Sequence, residues 1–223
     1  MVHLRPTIDT DAPRRRVIGA RDPIIDRAPI KAWRRADPAA PPGHAPAPHP
    51  TAFLRGYRVH PLLCRGSGLP VSFRLAPANR HDAPFAQPLL AAALALYHPR
   101  PRVVRLAAAY WGPALIAWIH TAVGATAVMP FNPKRLKDRS CLPPTWTTDE
   151  LGKRSGIARF FGRISLSFRL QRPPLSGWSA VTCQVALTYT AVIVVALSAH
   201  DAGRPDLIRS PARVLAHCWE GLL

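Results

Sequence analysis

Lysine is nearly missing from this chain, carboxylates are scarce, and no two cysteines stand close enough in sequence to form a metal clip. Lys31, Lys134, Lys137 and Lys153 are the only lysines among 30 Lys+Arg, and 12 Asp+Glu oppose them, leaving a formal net charge of +18 over 223 residues. A surface this positive selects for polyanions, and nucleic acid is the commonest of these. The arginine bias suits bidentate phosphate contact, although arginine, alanine and proline enrichment also follows from a GC-rich genome. Cys64, Cys141, Cys183 and Cys218 lie far apart with no CxxC pair, which excludes zinc-finger spacing and reads as reduced thiols in a cytoplasmic protein. No secretory segment opens the sequence, where Arg14, Arg15 and Arg16 stand instead. The longest apolar run, residues 185–199, falls short of the roughly 20 residues of a spanning helix and is interrupted by Thr188, Tyr189 and Thr190. It is read as a buried helix, with no membrane partner expected; a small membrane-anchored protein is the rival.

What is present has a readable order. Residues 1–21 are expected to be a basic, flexible arm and residues 22–223 a single domain, with a proline-rich loop, not an element, at 36–50. Pro23, Ile24 and Ile25 form a short apolar strand delivering Asp26. Residues 56–64 and 69–76 predict a hairpin around Arg65-Gly66-Ser67-Gly68, with Pro61 best suited to an edge or bulge. Asp82 followed by Ala83-Pro84 predicts a capped helix running to Tyr97 and stopped by Pro99 and Pro101. Next come a strand at 103–106, a helix at 112–123 ending on Gly124, and a strand at 125–131. One helix is expected to open at Thr147-Thr148-Asp149-Glu150 and run through Phe161. A long apolar helix is expected from Ser176 to about Ala202. This order is that of a ribonuclease-H-like α/β fold, a mixed sheet flanked by helices.

Cleaving a phosphodiester with paired metal ions needs carboxylates that converge from separate elements on two cations roughly 4 Å apart. In the expected fold the converging places are the ends of two strands and a later helix, occupied here by Asp26, Ala107 and Ala158. Two of the three lack a carboxylate. Asp149 and Glu150 are expected to lie too far along their helix to substitute. The basic segments Arg34-Arg35, Lys134-Arg135-Leu136-Lys137 and Lys153-Arg154, with Arg159 and Arg163, read as phosphate-tracking faces. Trp111, Trp118, Trp146 and Trp178 read as core, and His60 and His81 as structural.

Several stretches in order resemble the DDE-type insertion-sequence transposases: Ile24-Ile25-Asp26-Arg27-Ala28-Pro29-Ile30, Ala76-Pro77-Ala78-Asn79-Arg80-His81-Asp82, Leu106-Ala107-Ala108-Ala109-Tyr110, Pro130-Phe131-Asn132-Pro133-Lys134, and Arg154 through Arg163. The resemblance implies that Asp26 matches the first catalytic acid and metal ligand. It implies that Ala107 stands where the family has aspartate before an aromatic, and Ala158 where it has glutamate four residues after an arginine. It further implies magnesium in the family, held poorly here, and DNA (transposon ends) as partner, with a possible homodimer. DNA strand cleavage and transfer is the implied reaction, expected to be inactive in this copy. A non-enzymatic nucleic-acid-binding remnant is the alternative.

Overall fold

The computed structural model describes residues 21–44, 53–130 and 147–214. Its centre is β4 (Phe53–Cys64), against which four other strands pair. β1 (Pro23–Ile25) and β2 (Ala28–Lys31) run antiparallel to opposite ends of it, β3 (Pro42–His44) pairs with its start, and β5 (Pro70–Pro77) returns along its length as the expected hairpin. β6 (Val103–Leu106) then joins β1 in parallel, and β7 (Thr126–Val128) joins β6 in parallel. A mixed sheet built this way, flanked by helices, is the ribonuclease-H-like α/β fold.

Periodicity explains most of the elements. Ile24 and Ile25 are almost fully buried, each contributing about 1.5–3 kcal/mol of burial energy. β6 is buried from Val104 to Leu106, as befits a strand with neighbours on both edges. α1 (Ala83–Tyr97) has Pro84 in its first turn, where a missing N–H costs nothing, and lays Ala86, Leu89, Leu90 and Ala93 into the core. It ends on His98 in the left-handed conformation, ahead of the two prolines expected to stop it. α2 (Pro113–Trp118) continues into a wider π turn, Ile119–Val123, closed by left-handed Gly124. α5 (Trp178–Asp201) is long and apolar enough by length and composition to cross a membrane. It is longer than the apolar run had suggested, and one face of it packs on the core, where Tyr189 meets Phe73 edge-on at 5.1 Å and Phe160 at 5.4 Å, while Leu187 and Val194 are exposed.

Four expectations need correction. The helix expected from Thr147 to Phe161 is two helices, α3 (Thr147–Gly152) and α4 (Ser155–Phe168), because Gly152, Ser155 and Gly156 weaken the junction and Arg154 turns away there. The proline-rich segment contains a strand, β3, and a buried anchor, Asp37, where an unstructured loop was expected; residues 45–52 lie outside the described residues. Gly43 in β3 makes that approach possible, since a Cβ there would stand 2.0 Å from the Ala78 carbonyl oxygen. Pro61 sits in the central strand and not at an edge. It is tolerated because β2 pairs residues 56–59 and β1 pairs residues 62–64, leaving position 61 between them, beside a register shift at Leu62/Leu63. Finally, Asp82 stands at the N-cap of α1 without capping it, its carboxylate engaged elsewhere.

Asp37 joins the early chain to α5. Its carboxylate accepts the Tyr57 hydroxyl at 2.9 Å, the Gly177 N–H at 2.9 Å and the Ala39 N–H at 3.0 Å. Burial alone would raise its pKa, but these three donors outweigh burial and hold it below the usual carboxylate value. The aspartate effectively docks the helix start onto the sheet.

Candidate active site

The parallel pairing of β1 with β6 sets Ile25 opposite Leu106, so the next residues, Asp26 and Ala107, leave the sheet side by side. The Ala107 N–H donates to the Ile25 carbonyl at 3.1 Å and closes that end of the ladder. The third position comes from α4. At its N-cap, Arg154 Nη1 reaches Asp26 Oδ2 at 3.4 Å. Ala158 lies one turn on from Arg154 and is exposed, and residues four apart share a helix face. Further along that face, Phe161 and Ser165 border a cavity of about 160 Å³ whose opposite wall is Arg27, Ala28, Pro29 and Ile30. Ala158 therefore lies between a residue that touches Asp26 and residues that face the segment after it.

Asp26 is held incompletely. One carboxylate oxygen accepts the Arg27 N–H at 2.8 Å, and the other has the distant Arg154. Burial pushes its pKa up; the Arg27 N–H and the charges of Arg154 and Arg27 pull down without cancelling it, and Asp82 adds to the rise. Below the carboxylate, the Tyr110 hydroxyl donates to the Asp26 backbone carbonyl at 3.0 Å and meets His60 Nδ1 at 2.6 Å. His60 is 1% exposed, stacks on Phe85 at 4.7 Å, and is held neutral by burial and then by Arg27 and Arg58, its pKa falling to about 3. The Tyr110 pKa is raised well above its ordinary value by burial and by Asp82 and Asp26. This neutral pair forms a fixed floor, not an acid–base couple.

The residues present do not fit a divalent-metal pair. Ala107, next to Asp26, carries only a methyl group, and the Arg154 guanidinium stands 3.4 Å from the carboxylate. Among the described residues no group of three His, Cys, Asp or Glu side chains could hold a metal ion. Asp149 and Glu150 belong to α3, not to the helix of Ala158. Glu150 pairs with buried Arg105 and with Lys153, and Arg105 also pairs with Asp22. The lowered pKa of Glu150 follows from the Lys153 hydrogen bond first and Arg105 after it.

The predicted basic residues divide into several groups. Arg34 and Arg35 are exposed in the turn after β2, near Trp33, whose ring lies 5.3 Å below the Arg172 guanidinium. Lys153 and Arg159 are exposed and Arg154 is half-buried at the site. Arg163 is half-buried and donates to the Gly68 carbonyl of the hairpin turn at 3.2 Å, and burial, then Arg209 and Arg159, lower its pKa. Lys134, Arg135 and Lys137, with Trp146, Cys141 and Cys218, lie outside the described residues. Trp111 and Trp118 pack against the core, whereas Trp178 is 40% exposed at the start of α5. Cys64 and Cys183 are free thiols. His81 is exposed.

Sequence reasoning missed the engagement of Asp82. Its Oδ2 lies 2.8 Å from Arg27 Nη1 and its Oδ1 3.5 Å from Arg58 Nη1, so a residue that looked like a helix cap is the counter-ion of two arginines. The signal was there to read: Asp82 falls inside one of the stretches carrying the resemblance, immediately before a helix whose first turn needs no cap beyond Pro84. Tyr110, by contrast, closes the stretch that carries Ala107, and its bond to Asp26 comes only from the fold.

The family model described as the transposase DDE domain matches residues 24–194, from β1 into α5. No curated protein and no solved structure matches the chain.

Proposed function

Because this chain belongs to the transposase DDE-domain family, whose work is DNA transposition by generally metal-dependent chemistry on bound DNA, we propose that it is a transposase-derived DNA-binding protein whose strand-cleaving step has been lost. The observation that carries the proposal is the arrangement around Asp26. The carboxylate stands just past the end of β1, with Ala107 beside it just past β6 and Arg154 against it from the N-cap of the helix that carries Ala158. One acid and two methyl groups leave nothing to hold a cation pair. Arg154 instead supplies Asp26 with a positive charge from the protein itself, of a kind that cannot activate water.

DNA binding survives in this reading because it needs cations and not acids. Exposed Arg34, Arg35, Lys153 and Arg159 supply them, together with Lys134, Arg135 and Lys137, and neutralised phosphates make such binding fall steeply with salt. The same surface favours a second reading, a remnant that binds nucleic acid with no preference for particular ends. A defined transposon end that competes no better than random duplex would favour that second reading.

The test is restoration. Ala107→Asp combined with Ala158→Glu is expected to produce magnesium-dependent nicking of the DNA end, while the parent chain shows none. A folded double variant that binds DNA and stays inert would overturn the site assignment. Nicking by the parent chain that disappears in Asp26→Asn would overturn the loss of cleavage.

A further inference from the structure

α3 and α4 are held to the sheet by different forces. α4 buries Ile157, Phe160 and Ile164, each contributing about 1.5–3 kcal/mol. α3 has no buried side chain among its described residues: Asp149 is exposed, and Glu150 and Leu151 are half-buried. A helix of six residues is too short to be stable by itself in water, so its place depends on what it touches. That contact is ionic. Arg105 of β6 is 4% exposed; its two Nη atoms divide between Asp22, ahead of β1, and Glu150 of α3, and its Nε has no hydrogen-bond partner among the described residues. Each half of the Arg105–Glu150 pair keeps a second partner on its own side: Asp22 with Arg105 on the sheet, Lys153 with Glu150 on the helix. Parting the pair therefore strands no uncompensated charge, which is what makes most buried ion pairs costly to break. The chain can bend beside it at Gly152, where even an added Cβ would meet nothing within 4 Å.

We propose that the Arg105–Glu150 pair is a releasable latch: α3 is held on β6 by charge and comes away at Gly152 while α4 stays docked. Arg105 stands two residues before Ala107, on the same side of the chain as it leaves the strand. Release thus bares the flank of β6 that leads to Asp26 and Ala107, and the latch controls access to that edge. The latch itself stands apart from the proposed function; only its bearing on access to the site rests on that reading.

Glu150 and Glu220 are the only glutamates in the chain, so a glutamate-specific protease reads the latch directly, with cleavage after Glu220 as internal reference. Cleavage after Glu150 follows the population of the open form. Arg105→Met removes the sheet half of the latch and is expected to speed that cleavage, relative to Glu220, by about tenfold or more. Asp22→Asn has the opposite sign: release now strands Arg105 without a counter-ion, and cleavage after Glu150 is expected to slow. General weakening of the fold would speed both. Because Arg105 is buried, Glu150→Gln supplies a second reading by hydrogen exchange and mass spectrometry on the full chain. Residues 149–153 are expected to exchange faster, with β6 and α5 at parental rates. Parental behaviour in both Arg105→Met and Glu150→Gln would overturn the latch. Equal acceleration across β6 and α5 would make the pair a support of the whole fold and overturn local release. Neither outcome touches the proposed function, which the restoration experiment tests separately.

Discussion

Asp37 and Asp26 are both aspartates on the early chain, and their surroundings push them in opposite directions. Asp37 receives three hydrogen bonds from three parts of the molecule and is held below the ordinary carboxylate pKa. Asp26 receives one backbone N–H and an arginine at 3.4 Å, and burial carries its pKa upward. The first is a structural charge whose desolvation is offset by its partners. The second is a charge that the fold holds at a cost, because burial outweighs its few partners.

The largest expected effect tests the structural half of this contrast. Asp37→Ala strands the Tyr57 hydroxyl and the Gly177 N–H without their acceptor, and a loss of about 3 kcal/mol or more is expected in urea denaturation at pH 7. Because its folded pKa is lowered, Asp37 contributes stability above its unfolded value of 3.8 and gives it up as pH falls through the folded one. A loss under about 1 kcal/mol would remove the distinction between the two aspartates.

The next effect sharpens the picture of the floor beneath Asp26. His60 has a folded pKa of about 3 against 6.5 in the unfolded chain, so the unfolded state takes up a proton first as the solution is acidified. Stability from this group is complete above about pH 6.5 and declines below it, by up to about 1.4 kcal/mol per pH unit. Denaturation between pH 7 and pH 5 reads the slope, which His60→Gln is expected to flatten. An unchanged slope in that variant would place the titration elsewhere.

The smallest effect tests the functional half. With its folded pKa raised, Asp26 favours the folded state most at low pH and less as pH rises through that pKa. Asp26→Asn is therefore expected to leave stability at pH 7 unchanged or to raise it by up to about 1 kcal/mol. Its Arg154 pair is long, at 3.4 Å, and only partly buried, so its loss removes little. A clear destabilisation would make Asp26 a second Asp37.

Much of this was legible in the sequence, for reasons that can be named. Apolar runs bounded by Pro and Gly marked β1, β6 and the β4–β5 hairpin, and Asp-Ala-Pro marked the start of α1. The strand end carrying Asp26 and the adjacent Ala107 followed from the same pattern. The rest depended on partners far along the chain. Asp37 could not be told from a loop aspartate until Gly177 and Tyr57 stood beside it. Asp82 looked like a cap because local rules see only its own helix, while its partners Arg27 and Arg58 come from the link between β1 and β2 and from β4. The break between α3 and α4 was hidden because helical periodicity continues across it, and only the turn of Arg154 toward Asp26 reveals it.

The parallel junction of β1 and β6 has a consequence for how the molecule comes into being. Tyr110 and Asp26, which meet across that junction, are separated by 84 positions, and a contact so remote must wait until the intervening hairpin and α1 have been synthesised and collapsed. Of the partners of Asp26, Arg27 is adjacent in sequence, whereas Tyr110 and Arg154 are 84 and 128 positions away. The pocket is inherently non-local: it cannot close before residue 110 has been made and the chain between has brought β6 beside β1.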